Sequence, residues 1–170
     1  MGFFLTPWIM TFLGWGIHSA LDRSAQRRTP RRLVELLLLW VLVLGGVWAI
    51  IAALGHLGPN SSEIAEGIGY APSMFQWEVG WADVAIGVLG IGCVWMRDQW
   101  LTAAVVVMSI CYLGDAIGHI MQYVAHDNTA PNNVWATPSD ILGPVLAIVL
   151  LVAYRRMAKP TPVHSGATGA

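Results

Sequence analysis

The sequence predicts an all-α integral membrane bundle of four long transmembrane helices plus an N-terminal apolar helix, transmembrane or interfacial. Three observations carry this prediction. The chain is 56% hydrophobic and only 11% charged, where a soluble domain carries roughly 25% charged residues. Its apolar residues gather into runs close to the ~20 residues needed to cross a bilayer core. Its basic residues fall between alternate runs, so that all of them lie on one side of a membrane.

The first run, residues 3–21, is interrupted by Pro7, Gly14, Gly16 and His18. Its aromatic residues Phe3, Phe4, Trp8, Phe12 and Trp15 suit a spanning or an interfacial helix. No basic stretch precedes it and no small-residue cleavage site follows, so it reads as a retained helix and not a signal peptide. The segment DRSAQRRTPRR at 22–32 holds Arg23, Arg27, Arg28, Arg31 and Arg32 and belongs in the cytoplasm. Residues 33–56 form the clearest span, with Glu35 at its cytoplasmic mouth.

Residues 57–77 contain no Lys or Arg and fit the outer side. Ser61 and Ser62 ahead of Glu63 suggest a capped start to a short helix, which Gly67 and Gly69 would end. A third span is expected at 78–96, a tight turn at Arg97–Asp98, and a fourth span at 99–125. The segment HDNTAPNNVWATPSD, 126–140, reads as a polar loop, and residues 141–154 as the last span, followed by Arg155, Arg156 and Lys159. Residues 1–157 are expected to form a single domain and residues 158–170 a disordered cytoplasmic tail, by their Pro, Thr, Gly and Ala content. The pattern implies a multi-pass protein of a bacterial inner membrane with its C-terminus in the cytoplasm. Its expected partners are the lipid bilayer and a homo-oligomer or larger membrane complex. Net charge is −1 and no basic patch carries interleaved aromatics, so nucleic acid is not an expected partner. Cys93 and Cys111 lie far apart in apolar helices and read as small hydrophobes, not as a disulfide.

The polar residues of the spans are the functional signal. An ionisable side chain at mid-membrane costs about 2.5–3.5 kcal/mol on insertion scales and marks a candidate site. Glu78 and Asp83 open the third span, Asp115 and His119 close the fourth, Asp140 opens the fifth and His56 closes the second. All of them fall in the outer half. Asp115 and His119, one turn apart, share a face that Cys111, Gln122 and His126 extend. Such a pair can co-ligate a divalent metal, orient the imidazole through the carboxylate, or relay protons. Glu78 and Asp83 lie ~140° apart on an ideal helix, so only one faces a common centre, and Glu78 is the expected one. Gly80, Gly87, Gly90 and Gly92, and Gly114 with Gly118, suggest close helix packing.

The runs IAEGIGYAPSMFQWEVGWADVAIGVLG (64–90), GDAIGH (114–119), NTAPNN (128–133) and DILGP (140–144) resemble a family of small bacterial membrane proteins of unknown function. The resemblance covers roughly residues 60–150 and implies roles for Gln76, Glu78, Asp115, His119, Asn132, Asn133 and Asp140. It implies Asn where this chain has Asp83, and it supplies no activity.

Three readings follow. A metal or small-ligand site would use Glu78, Asp115 and His119, with Asp140 or a loop Asn completing the shell; the mixed N/O set suits Zn, Mn or Fe. A structural accessory subunit of a larger complex would use the same residues as an inter-helix clamp. A proton-coupled carrier would need a polar path through both halves, and the cytoplasmic halves are nearly featureless. No nucleophile–base pair, phosphate loop or haem motif assigns an enzyme class.

Overall fold

A computed structural model describes residues 2–157; Met1 and the expected tail, 158–170, lie outside the described residues. These form α1 (Gly2–Leu21), α2 (Pro30–Leu57), α3 (Ser61–Ile68), α4 (Phe75–Gly92), α5 (Gln99–His126) and α6 (Pro131–Met157). The architecture is all-helical, with no strand among the described residues. Three helices, α2, α5 and α6, are long and apolar enough to cross a membrane and compatible with contact with lipid. Twenty-eight residues in α2 span about 42 Å, against a hydrocarbon core of about 30 Å. The fourth long span expected at 78–96 is α4, which has 18 residues, carries Gln76, Glu78 and Asp83 and is not among the three.

The ends of the helices follow local chemistry. Thr29 caps α2 by accepting the Arg32 N–H through its hydroxyl, and Pro30 occupies the first turn, where its missing donor is harmless. The short helix α3 begins one residue earlier than its serines suggest. Asn60 takes the cap position and makes no side-chain cap bond. Gly69 ends α3 at φ 82°, a left-handed conformation that glycine adopts without strain, and donates to Ala65 and Glu66 carbonyls.

The largest departure from the sequence reading is α6. It starts at Pro131, where a loop to residue 140 was expected. The run PNNVWATPSD looks like turn chemistry, yet Pro131 is a favourable first helical residue and the Val134 N–H bonds the Ala130 carbonyl at 3.1 Å. Pro138 and Pro144 therefore lie inside this helix. Pro144 has no N–H to offer the Asp140 carbonyl one turn back.

α2 is the centre of the bundle. It packs chiefly on α4, and α5 packs on α6, with α1 laid against α2. The α2–α4 seam is an antiparallel backbone-on-backbone contact. A Cβ on Gly46 would lie 2.9 Å from the Gly87 carbonyl oxygen, and one on Gly90 would collide with the Leu42 carbonyl. Gly80 and Gly87 likewise accommodate Leu57 and Ile50. The expected packing role thus holds for these glycines of α4. It fails for Gly114 and Gly118, which face open space.

The core at the basic end is Leu38, Leu42, Leu101, Val105, Met108, Ala147 and Leu150. Cys93 is buried in it, Cys111 is half-buried, and both are free thiols. Charges ring this end. Asp22 accepts from Arg32 Nε at 2.9 Å, and Arg32 Nη1 reaches Glu35 at 3.0 Å. Arg31 stacks over Tyr154 with 4.9 Å to the ring centroid. Arg155 binds the Asp98 carbonyl and, at 3.1 Å, Thr102 Oγ1. The opposite end of the bundle holds the polar cluster.

Candidate functional site

The polar cluster surrounds a cavity of about 440 Å³ between α1, α2, α3, α4, α5 and α6. Its wall is divided by chemistry. Phe3, Phe4, Trp8, Trp48, Ile51, Ile64 and Ile68 form the apolar side. His56, Asp83, Tyr112, Asp115, His119, Asn132, Ser139 and Asp140 form the polar side. With Thr11 of α1, five helices thus contribute polar groups, three of them a carboxylate, and among the described residues no Lys or Arg lines the cavity.

His119 is the best-defined group. Its Nδ1 lies 2.8 Å from Asn133 Oδ1. The Asn133 amide nitrogen donates to the His119 carbonyl at 3.2 Å and to the Asn128 carbonyl at 3.0 Å. Two carbonyl acceptors fix which end of the amide is nitrogen, so Oδ1 must face the ring and Nδ1 must carry the proton. Asn133 is fully buried, and all three of its bonds are satisfied. The imidazole therefore turns Nε2 toward Asp140, whose Oδ2 lies 3.8 Å away.

The same device recurs on α2. His56 Nδ1–H donates to Oε1 of the buried Gln76 at 2.6 Å. Each cavity histidine thus has Nδ1 held by a buried amide, one from the start of α4 and one from the start of α6. Asn128 knits the rim together: its Nδ2 donates to the Ile68 carbonyl at 2.9 Å and its Oδ1 accepts the Ala130 N–H at 3.1 Å. The Asn-rich segment is therefore structural joinery for α3, α5 and α6. Trp8 Nε1–H donates to Ser139 Oγ at 3.2 Å and ties α1 to α6 across the cavity. Outside the helices, the Tyr70 hydroxyl is held above its ordinary pKa, first by burial and then by the Asp115 charge.

Of the expected residues, Asp115, His119, Asn132 and Asp140 line the cavity, while Gln76 and Asn133 stand behind it as the partners of the two histidines. Glu78 does not join them: it is exposed and does not line the cavity. The two acids on α4 sort oppositely to the sequence reading, since Asp83 is the one that turns inward. The metal triad of Glu78, Asp115 and His119 is accordingly not assembled. No group of three His, Cys, Asp or Glu side chains among the described residues could hold a metal ion. The group that orients His119 is Asn133 and not Asp115. Gln122 and His126, on the extended stripe, do not line the cavity.

Sequence reasoning placed His56 at the level of the polar cluster, at the end of the second span, but gave it no binding role. It also missed Trp8 and Tyr112, which read as ordinary span residues, and Ser139, which read as part of a polar loop. Signals for these would have needed the pairing of the helices.

The fold and site define a small all-helical protein with membrane-like helices and an amphipathic cavity at one end. The chain belongs to a family of unknown function (DUF6790), whose model matches residues 1–160. No curated protein and no solved structure matches it.

Proposed function

We propose that this is a small membrane protein that binds a small amphipathic molecule in the cavity at its non-basic end. The observation that carries the reading is the division of one cavity wall into an aromatic and aliphatic face and a face of two amide-locked histidines and three aspartates. Binding pockets combine such predominantly apolar walls with a few fixed polar groups, at volumes of roughly 300–1,000 Å³. The candidate binding residues are His56, Asp83, Asp115, His119 and Asp140, with Gln76, Asn132 and Asn133 supporting them.

In this reading α1, α2, α4, α5 and α6 all lie in the bilayer, with the basic ends in the cytoplasm and the cavity toward the outside. A divalent metal ranks below an organic ligand, because no group of three His, Cys, Asp or Glu side chains among the described residues is placed to hold a metal ion. A carrier ranks lower too: beyond the cavity, α2 and α4 close on each other through Gly46, Gly87 and Gly90.

The test is tryptophan fluorescence of the full chain in lipid nanodiscs, since Trp8 and Trp48 line the cavity. A series of short-chain amphiphiles of differing head group is titrated against wild type and Ala52→Trp, a cavity-filling variant. Saturable response in wild type that is lost in Ala52→Trp is the expected result. Elemental analysis runs beside it. No saturable response to any amphiphile, or a stoichiometric metal that His119→Ala loses, would overturn the reading.

A further inference from the structure

We propose that the ligand class is a cationic amphiphile, an aliphatic amine or quaternary ammonium, its charged head held among Asp83, Asp115 and Asp140. This deepens the cavity-binding reading and rests on it. The argument starts from Asp83. Its residue surface is only 9% exposed, it lines the cavity, and it has no hydrogen-bond or ion-pair partner among the described residues. A carboxylate so placed is costly unless a partner is supplied. Asp115 is also unpartnered among the described residues, and the one neighbour of Asp140, His119 Nε2 at 3.8 Å, is beyond hydrogen-bond range.

The protein's own cations do not serve. Among the described residues, the arginines with assigned partners all bind at the other end of the bundle, to Asp22, Glu35, Tyr154, Thr102 and the Met96 and Asp98 carbonyls. Two imidazoles remain, and each has committed one nitrogen to a buried amide. Three acids therefore outnumber the two basic groups that can answer them from within the wall. An anionic ligand would meet these carboxylates head-on. A cationic head satisfies them, and the opposite wall suits its chain: Phe3, Phe4, Trp8 and Trp48 offer aromatic surface that attracts both hydrocarbon and cations.

The test titrates octylamine, octyltrimethylammonium, 1-octanol and octanoate into the full chain in nanodiscs, reading tryptophan fluorescence. The chain is constant, so the head group alone changes. The expected order is saturable binding of both cations, octanol about tenfold weaker, and no saturable binding of octanoate. Asp83→Asn, which keeps shape and removes charge, is expected to weaken octylamine about tenfold more than it weakens octanol; a saturable octanol response also shows that it is folded. Asp140→Asn provides the same comparison on α6. If octanol binds as tightly as octylamine, or neither asparagine variant discriminates between them, the cationic assignment is overturned while the cavity reading stands. If no compound binds saturably, both fall.

Discussion

At the scale of single residues, Asn133 does the most. It has no exposed surface and satisfies three groups at once: the Nδ1–H of His119 and the carbonyls of His119 and Asn128. Asn133→Leu keeps the volume but removes all three bonds and leaves the His119 Nδ1–H unpaired, at about 1–3 kcal/mol for a buried group left without a partner. The expected outcome is a large drop in thermal stability of the detergent-solubilised protein, readable by circular dichroism. A variant melting like wild type would mean that the amide contributes little. Asp22 is the second residue with a sharp consequence. The hydrogen bond from Arg32, then that from the Ser24 N–H, holds its carboxyl at about 2, below the usual 3.8. Its folded pKa is depressed, so its contribution is present above pH 3.8 and is lost as pH falls toward about 2. Melting curves of wild type and Asp22→Asn should therefore differ above that window and converge through it; a constant offset would contradict the assignment. Asp115, His119 and Asp140 were legible as site residues from their depth in the chain, while Asn133 was indicated only by the family resemblance. The choice between Glu78 and Asp83 was not, because helical spacing shows that two side chains diverge but not which one meets the neighbours.

At the scale of elements, glycine spacing is a weaker guide than glycine environment. α4 and α5 carry comparable small-residue patterns, yet Gly80, Gly87 and Gly90 meet α2 and Gly92 meets Trp100 of α5, while Gly114 and Gly118 meet nothing. The packing partner in α2, Gly46, sits in a run whose apolar character hides it. Gly90→Leu places a side chain against the Leu42 carbonyl and the Gly46 backbone, which cannot yield as a side-chain tip would. It is expected to lose several kcal/mol or fail to fold, beyond the about 1–3 kcal/mol of ordinary overpacking. Gly114→Leu is expected to stay within about 0.5 kcal/mol of wild type, as for an unencumbered surface position. Expression and melting of the pair in detergent check both; equal losses would mean that α5 packs on something at Gly114. The helices themselves were largely legible, since apolar runs are read directly, although α2 begins at Pro30 and not at the expected residue 33. The first ten residues of α6 were not, because Pro131, Asn132, Asn133 and Pro138 carry turn propensity that packing against α3 and α5 overrides.

At the scale of the whole molecule, the chain is polarised along its helices. One end carries the Arg32 ion pairs to Asp22 and Glu35 and the hydrogen bonds of Arg31 and Arg155; the other carries the cavity. The proposed orientation puts the first end in the cytoplasm, and it makes the sidedness of two loops a direct prediction. With Cys93 and Cys111 replaced by Ala, a single cysteine at Ser62, in α3 beside the cavity, should react with a membrane-impermeant maleimide in intact cells. A single cysteine at Ser24, between α1 and α2, should react only after permeabilisation. Because Arg23, Arg27 and Arg28 flank that position, the positive-inside bias is strongest there. Labelling of Ser24→Cys from outside would invert the bundle and place the cavity on the cytoplasmic face. A ligand would then reach it from the cell interior, and the search for a cationic amphiphile would move to that side.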